Sequence, residues 1–280
     1  RKDGTKFWME WSIVPLKNKQ GGAYQYLAIQ KDVSARIEAD RKLRQARQAE
    51  REAQRARSNL ARYFSPSIVE TLAAKDQPLG PVRRQNLSVL FADIKGFTRI
   101  SETIEPEQVI ELLRDVHSWM EKIIFKWQGS IQGYIGDAVL AIFGYPIADE
   151  KAARNTLFCA QELLEGNRKW NEQRIRNGQI PLHIGIGSQY GPVVLGDVGT
   201  EDYVEFTVIG DTVNSASRLQ QASRSLNCNV VVGNGLVEQI KAECDSNEWS
   251  SLSDQLSHHG DLPIRGRSQS VDIWTMNRPT

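Results

Sequence analysis

The chain has 280 residues, a hydrophobic fraction of 40%, a charged fraction of 25% and a formal net charge of +1. These values are ordinary for a globular protein, and so small a net charge argues against nucleic acid or an anionic membrane surface as a partner. No apolar run reaches the roughly 18–20 residues that span a bilayer, and three cysteines (Cys159, Cys228, Cys244) without a C-x-x-C pair suit a reducing cytoplasm better than a disulfide framework.

The opening Arg1-Lys2-Asp3-Gly4 lacks a starting Met and any signal-peptide pattern, and reads as a cut inside a longer protein. Residues 1–33 alternate in strand fashion. Phe7-Trp8-Met9-Glu10-Trp11-Ser12-Ile13 and Tyr24-Gln25-Tyr26-Leu27-Ala28-Ile29 are rich in aromatic and β-branched side chains, and Lys17-Asn18-Lys19-Gln20-Gly21-Gly22 between them predicts a hairpin turn. Two strands are not independently stable in water, so they are expected to close a sheet that lies mostly upstream. Lys2-Asp3-Gly4-Thr5 with Phe7-Trp8, followed by Ala28-Ile29-Gln30-Lys31-Asp32-Val33-Ser34, resembles the last strands of a PAS domain. Gln30 falls where the flavin-binding LOV members carry a glutamine. That implies FMN only in the full-length parent, and only if the sensor is LOV; an ordinary strand glutamine is the alternative.

Residues 34–64 contain no Gly or Pro and are dominated by Ala, Arg, Glu and Gln, which predicts one long helix with Ser34 as its N-cap. Ala46, Ala49, Ala53, Ala56, Leu60 and Tyr63 follow 3-4-3-4-3 spacing, a heptad seam that Leu43 misses by one position. A helix of this kind spans about 45 Å at 1.5 Å per residue. Its arginines are interspersed with acidic residues, so a solvated coiled-coil face is preferred to nucleic-acid binding. The expected role is a linker that pairs two chains and passes on a sensor's state.

Ser65-Pro66 ends that helix and begins a lead-in segment, 65–86, with a short helix from Ser67 to Ala74 and a loop at Gln77-Pro78-Leu79-Gly80-Pro81. Residues 87–276 then alternate strands and helices. Strands are predicted at Leu87–Ile94, Ile131–Ile135, Ala138–Phe143, His183–Gly187, Val193–Asp197, Glu205–Ile209, Val230–Val232, near Ile264, and at Val271–Trp274. Helices are predicted at Pro106–Trp127, Asp149–Arg176 and Asp211–Leu226, with a short one near Leu236. The order is that of an α+β, ferredoxin-like βαββαβ sheet with helices on one face and extra strands.

Two carboxylates stand out. In Phe91-Ala92-Asp93-Ile94-Lys95-Gly96-Phe97-Thr98 an Asp sits where a buried strand ends in a Gly turn, and in Tyr134-Ile135-Gly136-Asp137-Ala138 another sits in a tight hairpin. The predicted sheet lays these side by side, so both can converge on the hard cations that attack at phosphorus requires. Each alone has the commoner reading of a turn cap. Asn214 and Arg218, four apart in Asp211-Thr212-Val213-Asn214-Ser215-Ala216-Ser217-Arg218-Leu219, share a helix face and suit a ribose and a phosphoryl charge, or a plain solvated surface.

LFADIKGFT, YIGDAVLAIFG, TVIGDTVNSASRL and LPIRGRSQSVDIW, with the lead-in ARYFSPSIVETL, resemble the successive motifs of the class III adenylate and guanylate cyclases over roughly residues 60–276. The resemblance implies two Mg²⁺ or Mn²⁺ ions on Asp93, Asp137 and the Ile94 carbonyl. It further implies a triphosphate on the turn Gly96-Phe97-Thr98 and on Arg265 (with Arg267 close by), a ribose oriented by Asn214, and a transition state stabilised by Arg218. The implied reaction is attack of the 3′-hydroxyl on the α-phosphate, giving a cyclic nucleotide and pyrophosphate. In this family metals come from one domain and the Asn–Arg pair from its partner, which implies a head-to-tail homodimer through the cyclase domain and the coiled coil.

The sequence departs from the family at the purine. Adenylate cyclases usually pair Lys with Asp or Thr, and guanylate cyclases Glu with Cys; here the two purine-binding positions are Gly133 and Thr207. Thr207 favours ATP over GTP, Gly133 reads no base, and Gln132 is an alternative reader if the backbone turns it inward. A catalytically idle cyclase-homology domain remains a rival. A diguanylate cyclase is disfavoured because no G-G-[DE]-E-F run is present.

Overall fold

The computed structural model describes residues 4–17, 23–61, 64, 66, 69, 72, 82–199, 204–263 and 270–276. The chain divides into two compact units, Arg1–Ser58 and Asn59–Thr280.

In the first unit β1 (Met9–Lys17) and β2 (Ala23–Asp32) form a two-stranded antiparallel sheet with Met9 opposite Asp32 and Ile13 opposite Ala28. Trp8, Trp11, Ile13, Tyr26 and Ile29 are exposed, so this small sheet buries neither face within the described residues. The PAS-like parent sheet is therefore consistent with the hairpin but is not itself described. The long helix α1 (Ser34–Leu60) follows. Ser34 is not its N-cap: Ser34 is already helical and its amide donates to Asp32 Oδ1 at 3.0 Å, while its hydroxyl accepts from the Trp8 amide at 2.8 Å. Val33 holds the N-cap position, its carbonyl accepting the Ile37 amide at 2.9 Å, and Asp32 one residue before it accepts the first helical amide. Ala46, Ala49 and Ala53 are exposed, as are the helix's other described residues from Ala35 to Asn59, whereas Leu60 of the same expected seam is buried in the core of the second unit; Ala56's side chain and Tyr63 lie outside the described residues.

The second unit is built on one eight-stranded sheet. Its strands are β3 (Arg83–Ile94), β4 (Ser130–Ile135), β5 (Ala138–Phe143), β6 (Ile184–Gly199), β7 (Val204–Ile209), β8 (Val230–Gly233), β9 (Ser257–Leu262) and β10 (Val271–Met276). Their order is β4-β5-β3-β6-β8-β10-β9, with β7 paired to the far end of β6. The helices are α2 (Phe97–Ser101), α3 (Pro106–Lys126), α4 (Ala152–Arg176), α5 (Asp211–Ser225), α6 (Asn234–Glu243) and α7 (Ser246–Ser253). The β3-α3-β4-β5-α4-β6 core has the ferredoxin-like strand order, and α3 and α4 share one sheet face. Leu112, Val116, Met120 and Ile124 form a strict i+4 stripe on α3 that is buried against Leu90, Ala92 and Ile94 of β3. Each such side chain contributes roughly 1.5–3 kcal/mol.

The opposite face differs from the one-sided expectation. Leu87, Val89 and Phe91 of β3 pack there with Ala216 of α5, with Phe64 at the end of the linker, and with Val69 and Leu72 of the lead-in segment. The strands expected at His183–Gly187 and Val193–Asp197 are one 16-residue strand, β6, paired without a break to β3 from Ile184 to Leu195. The strand expected at Val271–Trp274 is β10; the one expected near Ile264 lies outside the described residues, and β9 at Ser257–Leu262 is not among the expected strands.

Gly187 lets α5 lie down on β6. A Cβ there would stand 2.0 Å from the Gln220 amide nitrogen and 2.3 Å from the Ala216 carbonyl oxygen, both backbone atoms that cannot rotate away. Gly187→Ala is therefore expected to destabilise the unit by about 1–3 kcal/mol, read as a lower denaturation midpoint in urea. No helix among the described residues is long and apolar enough to cross a membrane.

Candidate functional site

Side chains alternate along a strand, so Asp93 shares the α5-facing side of β3 with Val89 and Phe91. Asp137 comes from the turn between β4 and β5. Gly136 takes φ 64° there, a left-handed conformation that a side chain would strain. The turn directs the Asp137 carboxylate back across the sheet end, where Oδ2 accepts the Ile94 amide at 3.1 Å. That bond joins the hairpin to the end of β3 and brings the two carboxyls within hydrogen-bonding reach. Burial first, then the neighbouring Asp93, push the Asp137 carboxyl up to about 7.

The turn is braced from α3. The His117 ring stacks on Tyr134 with centroids 4.1 Å apart and hydrogen-bonds the Asp137 backbone; burial lowers its basicity. The Tyr134 hydroxyl donates to Glu121 Oε2 at 3.3 Å, and burial with the Glu121 charge raises its pKa well above the usual phenol range.

From the other side comes α5. Gln220 Nε2 donates to Asp93 Oδ2 at 3.0 Å, and Arg224 Nη2 donates to the same oxygen at 2.9 Å and to the Ile94 carbonyl at 3.3 Å. Lys95 Nζ donates to the Cys228 carbonyl at 2.7 Å, which ties the end of β3 to the segment after α5. Between these elements lies an open cleft of about 780 Å³, lined by Asp93, Asp137, Asn214, Gln220 and Arg224 with Phe91 and Leu140 among its apolar walls. Its size suits a mononucleotide.

Among the described residues no three His, Cys, Asp or Glu side chains gather at one point. Two close carboxylates beside a strand-end carbonyl are nevertheless a hard oxygen set of the kind that takes Mg²⁺ or Mn²⁺ with retained waters, and it lacks the nitrogen and sulfur donors of a zinc site. Burial first, and then the neighbouring Asp93, disfavour the charged form of Asp137, and a divalent cation would offset both.

Of the residues expected from the sequence, Asp93, Ile94, Asp137 and Asn214 meet here. Arg218 is half-buried on α5 but does not line the cleft of its own chain. Gly96, at φ 77°, precedes α2, so the Phe97 and Thr98 amides fall outside that helix's hydrogen-bond ladder. Gly133 and Thr207 lie on β4 and β7, two strands that approach each other. Gln132 is the unpaired residue of a β4 irregularity between Ile131 and Gly133; its side chain is 7% exposed and its Nε2 has no hydrogen-bond partner. Arg265 and Arg267 lie outside the described residues. Sequence reasoning missed Gln220, Arg224, His117 and Lys95. For α5 the signal was present: Asn214, Ser217, Gln221 and Arg224 recur at i, i+3, i+7 and i+10, the spacing of one helix face.

The family model of the adenylate and guanylate cyclase catalytic domain matches residues 81–275. Over 212 residues, 74% of this chain, the sequence is 29% identical to the adenylate cyclase of Anabaena cylindrica, and the match spans 40% of that relative's length. Two solved structures are each 26% identical: the guanylyl cyclase Cya2 (TM-score 0.60, 70% of this chain and 94% of that one) and the adenylyl cyclase CyaB from P. aeruginosa (TM-score 0.61, 72% and 98%).

Proposed function

The chain belongs to the adenylate and guanylate cyclase catalytic domain family, and on that premise we propose that it converts ATP to cyclic AMP and pyrophosphate as a sensor-regulated cytoplasmic homodimer. The observation that carries this reading is the convergence of Asp93 and Asp137 at the end of β3, on the wall of one nucleotide-sized cleft. In this assignment 1–33 closes a PAS-like sensor, 34–64 is the coiled-coil linker, 65–86 the lead-in and 87–276 the catalytic domain.

Divalent cations held by Asp93, Asp137 and the Ile94 carbonyl would neutralise the polyphosphate and acidify the ribose hydroxyl. The chain's own residues divide the remaining work. The amides of Phe97 and Thr98 present N–H groups to phosphate oxygens, and Arg265 adds a cation at the terminal phosphates. Asn214 fixes the ribose so that its 3′-hydroxyl addresses the α-phosphorus, which supplies rate through orientation. Arg218 places a guanidinium where negative charge grows. Asn214 borders its own chain's cleft whereas Arg218 stands outside it, and that position of Arg218 supports a head-to-tail arrangement in which its guanidinium reaches the other copy's carboxylates.

Base choice is the open step, and cyclic GMP formation is the second reading. Cya2 and CyaB are equally similar to this chain, and Gly133 supplies no side chain to the purine. Thr207 supports ATP, and Gln132, whose Nε2 has no hydrogen-bond partner, is the alternative reader. Incubation with ATP or GTP and Mn²⁺, followed by identification of the product, tests the reading; cyclic GMP alone would sink the assignment to ATP. A Cβ at Gly133 meets nothing within 4 Å, so a longer side chain fits. Gly133→Lys is expected to raise the ATP-over-GTP ratio of kcat/KM by about ten- to a hundredfold, the worth of one hydrogen bond to a charged group. An unchanged ratio would show that the position does not face the base.

A further inference from the structure

Arg224 touches two of the three atoms proposed to hold a metal. Its Nη2 stands 2.9 Å from Asp93 Oδ2 and 3.3 Å from the Ile94 carbonyl oxygen, so one guanidinium bridges the carboxylate and the backbone acceptor. We infer that Arg224 is an internal counter-cation that occupies the metal ligands Asp93 and Ile94 in the metal-free protein and competes with the divalent ion for them. The inference rests on the cyclase reading of the site.

Three features support it. The Asp93 side chain is mostly buried (15% exposed), and the Arg224 guanidinium at 2.9 Å is the cation that neutralises it. The Arg224 side chain is 50% exposed, so it can swing into water without opening the core. Gln220, by contrast, is only 4% exposed and donates to the same Asp93 oxygen at 3.0 Å. It is a neutral, fixed donor that keeps the carboxylate aimed at the cleft whether or not Arg224 is present. The close seating of α5 on Gly187 sets the reach of both side chains, because Gln220's own amide packs over that glycine.

The arrangement has a functional consequence. Metal loading requires Arg224 to leave Asp93, and once displaced it stands at the cleft rim as a free cation facing a polyanionic substrate. Metal affinity without nucleotide is then held down, and nucleotide and metal load together rather than separately. An exposed ion pair is worth up to about 1 kcal/mol, and the lost repulsion between guanidinium and metal adds to it, so the competition is of the order of three- to tenfold in affinity.

The test is a titration of the purified full chain with Mn²⁺ in the absence of nucleotide, following free Mn²⁺ by electron paramagnetic resonance. Arg224→Ala is expected to bind Mn²⁺ three- to tenfold more tightly than the wild type. Arg224→Lys keeps the charge and should stay within about twofold of wild type, the limit set by the poorer reach of an ammonium. Asp93→Asn should abolish this binding in either background, which locates the ion. Equal affinities for the wild type and Arg224→Ala, or weaker binding by the latter, overturn the inference and leave the cyclase reading intact. Absence of any Asp93-dependent Mn²⁺ binding in both proteins overturns the metal assignment and this inference with it. Because Arg224 is half-exposed, the variants should retain the wild-type circular dichroism spectrum.

Discussion

Asp137→Asn is expected to lower cyclic nucleotide formation by about a thousandfold or more while leaving the protein as stable as the wild type or more so. The two effects have one cause. The native carboxylate is half-buried and faces Asp93, so its charge is held against both desolvation and like-charge repulsion. Asparagine keeps an oxygen that can accept the Ile94 amide, as Asp137 Oδ2 does at 3.1 Å, but removes the charge. Without a cation the substitution relieves crowding. With one it deletes a charged ligand, and losing preorganised charge at a reacting phosphoryl group costs several kcal/mol of barrier, each 1.36 kcal/mol being about tenfold in rate. Asp93→Ala should be as inactive but less benign, because it strands Gln220 and Arg224, which both donate to Asp93 Oδ2. Thermal melting beside a product assay checks both. Retention of more than about a tenth of wild-type turnover by Asp137→Asn would remove Asp137 from the metal set.

The structure also indicates what kinds of feature a sequence carries plainly. The α3 stripe and the Asp93 and Asp137 turns were legible because each is encoded locally, by i+4 spacing or by a strand running into glycine. β6 was not. Ser188-Gln189-Tyr190-Gly191-Pro192 separates the two expected strands, yet the segment is extended because β3 pairs with it from Ile184 to Leu195, a tertiary template that overrides local propensity. Gly187 carries a different message, close approach of a helix, that only the packed α5 reveals. β9 escaped because Ser257-His258-His259-Gly260-Asp261-Leu262 is a polar edge strand without hydrophobic alternation. α7 is capped by Asp245, which accepts the Asn247 and Glu248 amides, but its short sequence buries only Leu252 and gives little periodic signal. The contacts of Arg224 and His117 were illegible for another reason. They act on atoms twenty or more residues away in sequence, Asp93 and the Asp137 backbone, and such meetings exist only after the sheet has formed.

Mixing two inactive variants should restore activity, and this outcome separates a composite site from a self-contained one. Arg218→Ala is expected to lose about a hundred- to a thousandfold in kcat, the usual cost of removing one preorganised donor at a developing charge. Alone, neither Asp93→Ala nor Arg218→Ala homodimers contain a complete site. In a head-to-tail heterodimer both defects fall in one site, because the Asp93→Ala chain supplies no metal ligands where its partner supplies no arginine. The second site then receives intact carboxylates from the Arg218→Ala chain and an intact Arg218 from the Asp93→Ala chain. Random pairing makes half of the dimers heterodimers with one working site of two, so co-expression should return about a quarter of wild-type activity. If Arg218 instead swung into its own chain's cleft, every site in the mixture would carry one defect and activity would stay at background. The half-buried position of Arg218 outside its own chain's cleft favours recovery. The same experiment repeated without residues 34–64 would ask whether the exposed alanine seam of α1 contributes to the pairing; an alanine seam buries little area, so the recovered fraction should fall with dilution more steeply once that helix is gone.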